Sequence, residues 1–78
     1  MNRGTLLLNN DEIGEILKLI YIEKLNIALE NKEEEKSVLF NEEELESILD
    51  AIGGITNNEL LNQVKNKASN LLRSFRYS

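Results

Sequence analysis

The sequence contains no cysteine, no histidine, no proline and no tryptophan. Without cysteine there is no disulfide to staple a small fold and no thiolate zinc site. Without histidine the chain lacks the commonest general base and the commonest metal ligand. Glycine is sparse, and Gly53-Gly54 carries no GK[ST] sequence of a phosphate loop. The GxSxG, HExxH and EF-hand patterns are missing as well. An enzyme of 78 residues would need a carboxylate or lysine mechanism in a deep pocket, which so short a chain scarcely builds. Catalysis, cofactors and bound metal are therefore not expected.

Long apolar runs are also missing. The stretch Leu17 to Leu29 is interrupted by Lys18, Glu23, Lys24 and Asn26, far short of the roughly 20 apolar residues that span a bilayer. Met1-Asn2-Arg3-Gly4 followed by three leucines after Thr5 does not read as a signal peptide. No membrane association is expected, and the cytoplasm is the expected compartment. Charge is unevenly placed: residues 1–63 hold fourteen acids and five bases, a net of −9, while residues 64–78 hold four bases and no acid. The body should repel nucleic acid, and the tail could meet an anionic surface.

What is present is leucine, isoleucine, glutamate, asparagine and lysine, a composition that favours helices. A helix-start signature occurs three times. In Leu8-Asn9-Asn10-Asp11-Glu12-Ile13, Asn9 suits the N-cap, Glu12 can reach back to its N–H, and Leu8 and Ile13 fit a hydrophobic staple. Phe40, Asn41, Glu44 and Leu45 repeat these roles. Ile55, Thr56, Glu59 and Leu60 do so a third time. The first two copies match from Leu6 through Ile20 and from Val38 through Ile52, at an offset of 32 residues. A cap followed by an amphipathic helix is a generic pattern, and it accounts for the match without a duplication.

These signals predict a single, mostly α domain over residues 1–78, a small three-helix fold. Helix 1 runs over about 10–31, an acidic linker over 32–38, helix 2 over about 42–52 and helix 3 over about 57–75, with a Gly-Gly turn joining helices 2 and 3. The apolar triplets at 6–8 and 38–40 leave room for a minor extended ribbon. Helix 3 carries a core stripe of Leu61, Val64, Ala68, Leu71 and Phe75. Helix 2 turns Leu45, Ile48, Leu49 and Ile52 inward and sets its glutamates in the first turn, where they complement the helix dipole.

Helix 1 is apolar on two faces. Ile13, Ile16, Leu17, Ile20, Ile27 and Ala28 share one side, and Ile22, Leu25 and Leu29 fall nearly opposite, with Leu19 toward the flank. Three helices cover one such face, so Leu19, Ile22, Leu25 and Leu29 are the expected protein interface. A homodimer is the first partner this predicts, and an unidentified protein the second. The expected function is that of a small acidic protein-binding regulator. Tiny, acidic, cysteine-free helical chains of this kind are typical of phage and mobile-element accessory proteins that inhibit or redirect a host protein.

Leu49, the turn Gly53-Gly54-Ile55-Thr56 and Leu60 resemble the helix-turn-helix pattern. That resemblance implies DNA binding through helix 3, with Asn57, Asn58, Asn62, Lys65 and Asn66 as the contacts. Asp50 stands where the pattern has a small residue and Gln63 where it has an apolar one, and the body is acidic where DNA-binding domains are usually basic.

Overall fold

A computed structural model describes residues 3–55 and 57–77. The described elements follow in the order β1 (Arg3–Asn9), α1 (Asn10–Leu17), α2 (Glu23–Ala28), β2 (Glu35–Asn41), α3 (Glu42–Ile52) and α4 (Glu59–Tyr77). This mixed α/β arrangement corrects the three-helix expectation in two places.

The first correction is the ribbon. β1 and β2 pair antiparallel over their full lengths, from Arg3 opposite Asn41 to Asn9 opposite Glu35. Side chains alternate across it: Leu6, Leu8, Lys36, Val38 and Phe40 are buried, while Thr5, Leu7, Ser37 and Leu39 face out. A lone two-stranded ribbon is marginal in water. Here the helices cover its inner face and bury it against Ile13, Ile16, Leu45, Ile48, Val64 and Ala68. The acidic linker expected at 32–38 thus supplies the first half of a strand.

The second correction is helix 1, which breaks. α1 ends at Leu17, residues 18–22 turn, and α2 restarts after Ile22 in an extended conformation (φ −129°, ψ 113°). Ile16 and Leu25 stand nine positions apart, which on one straight helix is about 180° of rotation. The break lets both enter the same core, at 1% and 0% exposure. Burying a leucine is worth about 1.5–3 kcal/mol, enough to offset the few helical hydrogen bonds lost in a β-branched and aromatic stretch (Ile20, Tyr21, Ile22) that forms helix poorly.

Two helix starts form as the sequence implies. Glu12 N–H donates to Asn9 Oδ1 at 2.7 Å and Asn9 N–H to Glu12 Oε1 at 3.0 Å. Asn41 and Glu44 reproduce the box at 2.8 and 2.9 Å. The third start shifts: Leu61 N–H donates to Asn58 Oδ1 at 3.1 Å, so Asn58 caps α4. Thr56, the expected cap, lies outside the described residues. Gly53 closes α3 at φ 53°, with its N–H on Leu49 O at 2.9 Å, a backbone that glycine adopts without strain.

The 32-residue offset has a structural meaning. The central pair of the ribbon is Leu6 opposite Val38, residues that are equivalents under that offset. An antiparallel ribbon has a local two-fold through such a pair. The two matching segments, a strand followed by a capped helix, therefore sit about the local two-fold of the ribbon.

Candidate functional site

A lysine reaches each of the two free edges of the ribbon. At β1, Lys67 of α4 places its Nζ 2.7 Å from Leu7 O and 2.9 Å from both oxygens of Glu12. At β2, Lys24 of α2 places its Nζ 2.8 Å from Leu39 O and within 2.9 Å of Glu44. Leu7 and Leu39 are equivalents at the 32-residue offset, as are Glu12 and Glu44. Helix α2 thus sends a lysine to the strand and capping box at 39–44, and α4 sends one to those at 7–12, although Lys24 and Lys67 are not themselves equivalents at that offset. Both edges carry an ammonium on an outward carbonyl, a device that discourages strand addition. Lys24 also stands 5.6 Å from the Phe40 ring centroid.

With the edges clamped, the outer face of the ribbon is the open surface. Leu7 is 55% and Leu39 47% exposed, and Ile27 of α2 is 56% exposed. A groove of about 890 Å³ lies between α2 and β2, lined by Leu7, Ile27, Ala28, Val38 and Leu39 together with Asn31, Glu33, Glu35 and Ser37. Lys24 and Lys36 also line it, but both ammonium groups are engaged: Lys24 as above, and Lys36, itself only 4% exposed, on Asn10 Oδ1.

The expected interface residues are dispersed. Leu25 is fully enclosed in the core, Ile22 is half-buried, and Leu19, within the break, and Leu29, at the end of α2, are partly exposed. Ile27, expected inside, lies on the surface. The break explains this exchange, because it rotates α2 relative to the face that a continuous helix would present. Leu7 and Leu39 escaped the sequence reading because Leu6-Leu7-Leu8 is apolar on both faces. The signal that exposes them is register: Thr5-Leu7 and Ser37-Leu39 occupy the same alternate positions on paired strands.

The expected DNA contacts are arranged no better for that role. The helix-turn-helix resemblance needs a turn of about 3–4 residues, whereas six residues, 53–58, separate α3 from α4. Asn58 is occupied at both ends of its amide, since its Nδ2 donates to Glu15 Oε1 at 2.6 Å. Asn57 and Asn66 are exposed, and Asn62 and Lys65 half-buried. Of the four tail cations, Lys67 is held by Glu12, and Arg76 reaches Glu46 at 3.4 Å and Glu42 at 3.9 Å.

Two carboxyl groups titrate below their ordinary value. Hydrogen bonds from Lys18 and Asn58 hold Glu15 down. Burial pushes Glu44 up, but hydrogen bonds from Lys24 and the Asn41 N–H outweigh it and leave its carboxyl lowered. Among the described residues, no three carboxylates gather in a way that could hold a metal ion. No helix among them is long and apolar enough to cross a membrane. No protein-family model matches the chain, and neither a curated protein nor a solved structure matches it with significance.

Proposed function

We propose that this protein is a protein-binding module whose contact surface is the outer face of the ribbon together with α2. The supporting observation is the placement of Leu7, Leu39 and Ile27, three large apolar side chains about half exposed around one groove. Isolated exposed leucines are ordinary, but apolar groups gathered around a concavity mark interaction sites. Lys24 and Lys67 each occupy one carbonyl of a strand edge, which favours contact through the side chains of the face. The acidic body disfavours nucleic acid on the same surface.

The test compares wild type with Leu39→Glu and, as a control on an exposed α4 residue outside the groove, Asn66→Asp, each immobilised in nuclease-treated extract of the source cells. A protein retained in stoichiometric amount by wild type and Asn66→Asp, and lost by Leu39→Glu with its helical spectrum intact, supports the proposal. Equal retention by all three overturns it.

A further inference from the structure

We infer that the groove between α2 and the ribbon takes a basic amphipathic helix of the partner protein. This deepens the protein-binding proposal above and rests on it.

The groove combines the apolar side chains Leu7, Ile27 and Leu39 with a free charge that is negative. Residues 30–35 hold four acids and one base. Among the described residues, Glu23, Glu30, Glu33, Glu34 and Glu35 are exposed and none joins an ion pair. The two lysines that line the groove do not offset them, because Lys24 is engaged by Leu39 O and Glu44, and Lys36 by Asn10. The complement of such a surface is an apolar stripe flanked by cations.

The edge chemistry favours a helical occupant over a strand. A strand adding to β2 would need Leu39 O, which already accepts from Lys24. An amphipathic helix asks nothing of the backbone: its apolar anchors at i, i+3 or i+4 and i+7 meet side chains such as Leu7, Ile27 and Leu39. A second copy of this chain is a poorer occupant, since facing grooves would set Glu33 and Glu35 of one copy near those of the other.

The probe is a capped helical peptide of leucine and lysine, with leucine on one face, set against the same leucine pattern carrying glutamate in place of lysine. Titration of ¹⁵N-labelled protein should move the amides of Leu7, Ile27, Ser37 and Leu39. Affinity should fall about tenfold or more in a Glu33→Gln/Glu35→Gln double variant and weaken with salt. The glutamate peptide should leave the spectrum unchanged. Shifts centred instead on Glu42, Glu43 and Glu46 of α3, equal binding of both peptides, or no binding of either would overturn the inference. So would a dimer in sedimentation that Leu39→Glu dissociates, since the occupant would then be a second copy. A captured protein that needs Leu39 but is insensitive to the Glu33→Gln/Glu35→Gln change would remove this inference alone and leave the protein-binding proposal standing.

Discussion

At the β1 edge, Lys67 meets a carboxylate, Glu12, that is 1% exposed, whereas at the β2 edge Lys24 meets Glu44, which water still reaches. The two clamps share one geometry, and the helices that carry them differ. α4 has 19 residues and lies across β1, α1 and α3; α2 has six and stops beside β2. The ribbon reflects the difference. Gly4 leaves space for α4, since a Cβ there would stand 2.6 Å from a Leu71 methyl and 3.2 Å from Phe75. Its equivalent at the 32-residue offset is Lys36, whose long side chain runs to Asn10 in the half with the short helix. One half is closed by the long helix; the other ends early and leaves the groove.

The largest effect should come from the core of the open half. Leu25→Ala should cost about 3 kcal/mol in urea unfolding, and Leu25→Glu should give no folded protein. Ile27→Ala, two residues on, should stay within about 0.5 kcal/mol. Equal costs would mean that α2 is not broken from α1 as described.

The clamps should separate next. Lys67→Met leaves the enclosed Glu12 carboxylate without its cation and should cost about 3 kcal/mol. Lys24→Met disturbs a partly solvated pair and should cost less than about 1 kcal/mol. Similar midpoints for the two variants would remove the contrast between the halves.

The glycines give a smaller and opposite pair. Gly4→Ala should destabilise by about 1 kcal/mol as Leu71 and Phe75 shift. Gly14, inside α1 with open space around its Cα, should gain about 0.5–1 kcal/mol on change to alanine. Thermal unfolding of both variants checks the signs.

The smallest effect is in pH. Glu44 has its folded value depressed below the ordinary 4.5, so its contribution is present above that value and is lost as pH falls through the lowered folded value. Glu44→Gln should therefore show a shallower loss of stability in acid than wild type. An unchanged acid limb would show that the Lys24 contact is not kept in solution.

What was legible in the sequence was local. Asn9 with Glu12 and Asn41 with Glu44 act across three residues, so their spacing alone announces them. The stripes of α3 and α4 are periodic, and Leu61, Val64 and Ala68 are buried as that periodicity implies. The long-range choices were hidden. Residues 18–22 contain no glycine or proline to announce a break, and the break is driven by the burial of Leu25 against elements far along the chain. Near 57, Asn58 takes the cap and is tied down by Glu15, 43 residues away. β2 is masked by Glu35 and Lys36, which read as linker until Leu6 is placed opposite Val38. The candidate groove was illegible for the same reason, because its walls meet only through the strand register and the turn of α2.

The most direct test of the account is a photo-crosslinking amino acid placed at position 39, on the open face, and in a second variant at position 66, on α4, with both irradiated in the source cells. A discrete protein adduct is expected at position 39 and none at position 66. An adduct at 66, to protein or to nucleic acid, with none at 39 would contradict it.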